Sequence, residues 1–312
     1  MSKYIFGAFG TNNVGDEAIF EGASQVYDDV VEIFVNKSNR ANSVWYADLL
    51  EGRTKFPDEC DELIMGGGGL LHSKNAVVDY LRMAKLAISQ GKQFSIQRIG
   101  CENQSPEYDA ETKELFSLAS SISVRSQKSK EIVNALGFNC EIEQDFALEL
   151  EIPSSKVLNP YKTVGLVTNC LNGANFDKFI PILKAMVDKV QVVHIPHSRA
   201  FVNANNNDVV AAQKLWSSIE IYHNNRDKKF ITLPYSNNPY KVLDTYSGMS
   251  GIIGMRYHSF LFSEITKKPL LGYTVGTKFS EYFKERGLDN YIDYGADVNT
   301  IIEKTMKFIE SL

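Results

Sequence analysis

Short apolar runs alternate along most of the chain with stretches whose apolar residues recur at helical spacing. In the first half the runs predict strands near residues 4–9, 30–35, 62–65, 93–96 and 122–124. Helical spacing lies between them at 17–27, 76–89 and 129–136, the last stopped by Gly137. This alternation is the grammar of a parallel sheet with helices on both sides. Residues 152–160 carry two prolines among small polar residues and read as a linker. The pattern then restarts. Strands are predicted at 163–167, 190–194, 230–233, 251–255 and 270–273, with helices at 176–188, 208–219, 240–246, 260–267 and 279–286. A last helix over 300–312 places Ile301, Ile302, Thr305, Phe308 and Ile309 on one stripe. The expected organisation is therefore two α/β domains, 1–152 and 160–312, with no sequence repeat between them. Residues 203–207 read as a polar loop.

Bulk properties narrow the class. A chain of 312 residues exceeds what one core usually serves. Its net charge of −5 argues against a general nucleic-acid binder, though not against a local basic pocket. The four cysteines are scattered without a CxxC pair, so zinc-type spacing is absent and buried thiols in a reducing compartment are expected. The first residues read as a strand rather than a signal peptide, and no apolar run is long enough to span a bilayer. A cytoplasmic enzyme is the expectation. A lipid-linked substrate would add loose association with the inner face of the membrane.

Chemistry concentrates where predicted strands end. Arg256-Tyr257-His258 follows the run 251–255 and precedes a helix that Pro269 stops. In an α/β fold this is the ligand-binding end of the sheet. A guanidinium grips phosphate or carboxylate by two prongs, and an imidazole delivers a proton near neutral pH. Two apart on an extended segment, Arg256 and His258 would point to the same side. A structural Arg paired with an acid, beside a core His, is the plainer alternative. Arg98 and Arg125 also stand at predicted strand ends; each is either a further cation for an anion site or an ordinary salt bridge.

Two glycine-rich segments sit at the ends of strands. Gly7–Glu17 contains Gly10, Asn13, Gly15 and Asp16, but has neither GxGxxG nor GK[ST] spacing. It reads either as a tight turn with Asp16 capping the next helix, or as a ligand contact. Gly66 to Gly69, including Gly67 and Gly68, offers bare amides able to wrap an anion, with His72 just beyond. Close packing of the two domains across the cleft is the competing reading. In His194-Ile195-Pro196-His197 the proline breaks any helix and no carboxylate accompanies it, so His197 is expected to meet a polar substrate or sit in a loop rather than bind metal. His223 reads as a solvated loop residue.

Taken in order, these segments resemble the polysaccharide pyruvyltransferase family. The matching pieces are Gly10-Thr-Asn-Asn-Val-Gly15-Asp16, Gly66–Leu71 with His72, Ile122-Ser-Val-Arg125, Gln144-Asp145-Phe146-Ala147-Leu148, and above all Ile253-Gly-Met-Arg256-Tyr257-His258-Ser-Phe-Leu. Pro269–Tyr273 and Lys278 follow as a looser match, and Tyr257 stands where Leu is common in the family. The resemblance implies a GT-B-like fold: two Rossmann-like domains with parallel sheets facing a central cleft. It implies transfer of the enolpyruvyl unit of phosphoenolpyruvate to two hydroxyls of a saccharide, giving a cyclic ketal and phosphate. It implies Arg125 and Arg256 as phosphoenolpyruvate ligands, His258 as catalytic acid and His72 on the substrate side.

The residues fit such chemistry on their own terms. Phosphoenolpyruvate carries two anionic groups and needs several cations, with Lys278 or Arg98 held in reserve beside the two arginines, and Tyr257 is a further expected donor contact. Its methylene carbon must be protonated, and an imidazolium beside a bound anion can do this. No metal or organic cofactor is required. The loops 169–175 and 198–207 are the expected acceptor contacts, and oligomeric state is open. A nucleotide-sugar glycosyltransferase of the same fold, or a non-catalytic binder of anionic glycans, remains an alternative at this point.

Overall fold

The computed structural model describes residues 2–35, 43–152, 162–169, 173–199, 207–223, 229–274 and 277–312. Most of the linker, most of the two expected acceptor loops, and the side chains of His223 and Lys278 lie outside this set. The chain forms two units. One comprises Met1–Thr11 and Asp16–Leu150, the other Asn12–Gly15 and Glu151–Leu312.

The first unit is built on β1 (Ser2–Phe6), β2 (Val30–Phe34), β3 (Val44–Trp45), β4 (Cys60–Gly68), β5 (Gln93–Ile99), β6 (Ile122–Val124) and β7 (Glu141–Ile142). All pair in parallel, in the order β3-β2-β1-β4-β5-β6-β7. Crossovers are made by α1 (Val14–Val26), α2 (Tyr46–Leu50), α3 (Lys74–Ser89), α4 (Asp109–Ser117) and α5 (Gln127–Ala135). The order reverses between β1 and β4, the topological switch point of a Rossmann-like sheet. The central strands are apolar on both sides because helices cover both: Ile5, Phe6, Leu63, Ile64 and Met65 are fully buried.

The glycine run departs from expectation. It does not begin a loop at Gly66; β4 continues through Gly68, with Gly66 opposite Gln97 and Gly68 opposite Ile99. Gly67 and Gly68 hold positive φ, +71° and +77°. A Cβ on Gly67 would stand 2.1 Å from Ile19 Cγ2, and one on Gly66 2.5 Å from Ile5 Cδ1. The bare backbone here admits α1 and a neighbouring strand, which is close packing within one unit. Likewise Gly22, in the middle of α1, has no room for a Cβ, which would meet Phe146 O at 1.8 Å.

The second unit repeats the plan with β8 (Thr163–Val167), β9 (Gln191–His194), β10 (Phe230–Thr232), β11 (Gly251–Gly254), β12 (Leu270–Thr274) and β13 (Tyr291–Asp293). The order is β10-β9-β8-β11-β12-β13, again all parallel. Its helices are α6 (Gly173–Val187), α7 (Asp208–His223), α8 (Pro239–Ser247), α9 (Tyr257–Ile265), α10 (Thr277–Glu285) and α11 (Val298–Ser311). The switch point lies between β8 and β11, so Thr168 and Arg256 leave the sheet side by side. Every residue of β8, β11 and β12 is buried.

Cys60, Cys101 and Cys140 are free and buried, and burial pushes the Cys60 thiol up to about 11. Among the described residues no helix is long and apolar enough to cross a membrane.

Candidate functional site

The site in the second unit is set by how β11 hands over to α9. The strand ends at Gly254, and Arg256 occupies the N-cap with extended angles, φ −116° and ψ 143°. Gly254 lets the chain fold back, since a Cβ there would meet Ser259 Oγ at 2.3 Å. Ser259 donates both its N–H and its hydroxyl to Arg256 O. His258 is therefore the second residue of a helix, not a partner of Arg256 on one extended strand. The period-two expectation fails because the strand stops two residues before the arginine.

Arg256 is buried and clasped. Its Nε donates to Asp208 Oδ2 at 2.9 Å and to Thr168 O at 3.0 Å, and its Nη2 donates to Asp208 Oδ1 at 2.7 Å. The acid partner that the sequence left as an alternative is thus Asp208, at the start of α7. Asp208 is itself buried, and its Oδ2 also accepts from His197 N and Ser198 N, both at 2.9 Å. Tyr257 sets its ring 5.8 Å from that of His258 and 5.9 Å from Tyr282 on α10.

Both histidines of the His194–His197 motif lie inside. His197 is 1% exposed, pairs with Tyr246 Oη through Nε2 at 2.9 Å, and packs on Phe262. Burial first, then nearby Arg256, hold it well below 6.5, so it is a neutral interior histidine rather than an acceptor-side loop group. His194 lies between Thr168 Oγ1 at 2.9 Å and Thr232 Oγ1 at 3.2 Å. Burial lowers it to about 4, Asp208 opposing and Arg256 adding to the effect. The unfolded chain binds this proton near 6.5 and the folded chain only near 4, so the stability that neutral His194 contributes is complete above 6.5. It is lost as pH falls across that window. The expected cost is about 3 kcal/mol from 1.36 kcal/mol per pH unit. Urea denaturation from about pH 7.5 down to about pH 4 should show His194→Gln with a visibly flatter slope than the parent chain.

The segment Asn12–Gly15 also belongs to this unit. Val14 N donates to His197 O and Arg199 N to Asn12 O, both at 2.9 Å, and Asn13 bridges Ser198. Asn13 Oδ1 accepts from Gly15 N at 3.1 Å, so Asn13 holds the cap position of α1. Asp16 is inside the first turn and takes a weak bond from Thr11 Oγ1 at 3.4 Å. Gly15 lies directly against His258: a Cβ there would stand 2.1 Å from the imidazole Nδ1.

In the first unit, Arg125 follows β6 and is buried against Asp145 at 2.9 Å and Glu102 at 3.6 Å. Glu102 in turn accepts from Ser126 and Ser129 hydroxyls. Arg98, expected as a reserve cation, is the clearest departure. It holds φ +54° at a break in the β5–β6 register, bonds Glu143 at 2.7 Å and Glu149 at 2.6 Å, and stacks on Phe146. Two carboxylates and a ring account for its charge within the unit. Gly10 has φ +74° and donates to the buried Glu17 at 2.9 Å. His72 is exposed, between β4 and α3. Asp208, Thr168 and Glu102 were not singled out from sequence; Asp208 had read only as the opening acid of a helix.

A profile of the family described as polysaccharide pyruvyl transferase matches residues 13–276. No curated protein matches the sequence significantly. Solved structures match at the level of fold. UDP-GlcNAc 2-epimerase from Methanocaldococcus jannaschii, in complex with UDP-GlcNAc and UDP, is 12% identical with a TM-score of 0.64, over 99% of this chain and 93% of that one. UDP-GlcNAc 2-epimerase from Neisseria meningitidis, bound to UDP-GlcNAc, is 14% identical with a TM-score of 0.65, over 99% and 92%. The likeness shows an α/β fold of the GT-B type, with two parallel sheets and alternating helices.

Proposed function

This chain belongs to the polysaccharide pyruvyl transferase family, and we propose that it moves the pyruvyl unit of phosphoenolpyruvate onto two hydroxyls of a saccharide, forming a cyclic ketal and releasing phosphate. The observation that carries this reading is the His258 imidazole in the first turn of α9, two residues after Arg256 and seated on Gly15. The start of a helix favours an anion, and Arg256, matched by Asp208, enters like Arg125 as a candidate donor ligand. A donor bearing phosphate and carboxylate suits that environment, with Tyr257 beside it.

In the proposed reaction His258 gives its proton to the methylene carbon, making C2 electrophilic. One sugar hydroxyl adds to C2, the C2–O bond to phosphate breaks, and the second hydroxyl closes the ketal. Of the two hydroxyl protons, one restores His258 and the other leaves on phosphate. The step requires no redox partner, and we assign it no metal or organic cofactor. Arg125 enters only as a candidate donor ligand, since it is matched by Asp145 and Glu102; Arg98 is left out. The acceptor is a saccharide, lipid-linked or free.

The test is phosphate release from phosphoenolpyruvate with galactose, glucose, mannose and N-acetylmannosamine acceptors, with the ketal methyl group observed by NMR. Release that depends on one acceptor, together with the new methyl signal, supports the reading. Thermal stabilisation by a nucleoside diphosphate, with no release from phosphoenolpyruvate under any acceptor, would move the assignment to a nucleotide-sugar enzyme.

A further inference from the structure

Helix α7 opens with Asn207 and Asp208, and the two divide the work. Asn207 Oδ1 caps the helix by accepting from Val209 N at 3.1 Å and Val210 N at 3.3 Å. That leaves the Asp208 carboxylate for other elements. It takes both prongs of Arg256, the residue that starts α9, and both amides of the turn at His197 and Ser198. The same turn holds the segment Asn12–Gly15 through His197 O and Arg199 N. Gly15 on that segment touches the His258 ring, whose Nε2 is buried. The imidazole therefore rests between two walls. One is its own helix, anchored at Arg256; the other is the Gly15 segment, anchored at the 197–199 turn. Both anchors meet on one carboxylate.

We infer that Asp208 is the positioning residue of this site: by clasping Arg256 and the His197–Ser198 turn together it fixes both walls of the seat that holds the His258 imidazole. The catalytic part of this inference rests on His258 acting as the acid in the reaction proposed above. The geometric part does not. A buried carboxylate with four donors on it is rigid, and rigidity is what an acid needs to meet one carbon of a bound donor. Gly15 is required in this seat because any side chain would occupy the place of the ring.

The measurement is carbethoxylation of individual histidines by diethyl pyrocarbonate, read by peptide mass spectrometry. Exposed His72 serves as the reacting control and buried His194 as the protected one. In the parent chain His258 should react far more slowly than His72. In Asp208→Asn its rate should rise at least about tenfold while His194 stays protected. Gly15→Ala should do the same without touching the buried charge, because its φ is ordinary and alanine is the better helix former. Asp208→Glu keeps the charge opposite Arg256 and should fall between, and it decides the matter if Asp208→Asn does not fold. In turnover, kcat should fall about a hundredfold in Gly15→Ala, with KM for phosphoenolpyruvate within about threefold. The inference is overturned if His258 stays as protected in the variants as in the parent. It is equally overturned if His194 becomes labelled in step with His258, since Asp208 would then support only the fold. Absence of phosphate release in the parent would remove the proposed reaction and leave the labelling result standing on its own.

Discussion

His258→Ala should lower phosphate release from phosphoenolpyruvate by at least about a hundredfold, the usual scale for losing a positioned acid. The fold should survive. His258 is half-buried at the second position of α9, and alanine is a better helix former there. The ring contributes a contact with Gly15 and an edge toward Tyr257, and among the described residues it is not a member of the apolar core clusters. An unchanged melting temperature with collapsed turnover would separate chemistry from stability. Turnover within a few-fold of the parent would sink the assignment of the acid, and the proton would have to come from another group. His197 is a poor substitute, because it is interior, bonded to Tyr246, and held neutral by burial.

The second large effect is on stability. Asp145→Ala should destabilise the protein by about 3 kcal/mol or more, the scale for breaking a buried ion pair by removing one partner. Arg125 and Asp145 side chains are each 1% exposed, so water cannot take over the lost interaction. Glu102 stands further off at 3.6 Å and does not replace the 2.9 Å bond. Asp145 also accepts from Ala147 N and so shapes the turn that presses on Gly22 of α1. Urea denaturation checks this. Adding Arg125→Met and Glu102→Gln to Asp145→Ala should recover part of the loss, because the three changes together remove the buried charges instead of stranding one. A single-variant change below about 1 kcal/mol would mean that the pair is far wetter than its burial indicates.

Most of the fold was legible because its parallel strands are mostly apolar runs set between stretches of helical spacing. The strands read at 30–35, 122–124 and 163–167 reappear within a residue as β2, β6 and β8. What escaped was too short or too polar to carry a period. β3 and β7 are two residues each, β13 is Tyr-Ile-Asp with only Ile292 buried, and α4 has the charged sequence Asp109-Ala-Glu-Thr-Lys-Glu-Leu-Phe-Ser. Helix starts were read late, at 260 rather than Tyr257 and at 17 rather than Val14, because the first turn of each is polar or small.

The site was legible to a lesser degree, for a related reason. Local order along the chain shows that an Arg and a His follow a strand, and the fold type makes that the ligand end. It does not show which groups come to meet them. Asp208 is 48 residues from Arg256 and about ten from the His197–Ser198 turn. Nothing local marks it beyond an acid opening a helix. The glycines mislead in the same way. A run of bare amides is visible in the sequence, but only the position of Ile19 turns Gly67 from a ligand loop into a packing contact.

Periodicity and composition alone therefore established two parallel α/β halves and put Arg256-Tyr257-His258 at the end of a strand. Those properties depend on neighbours a few residues away, which the order of the chain contains. Only the folded chain decides that Arg256 is clasped by Asp208, that Arg98 is matched by Glu143 and Glu149, and that His194 and His197 are interior. Charge matching and burial depend on distances between remote segments. Those are settled only when the switch point of each sheet gathers its own loops.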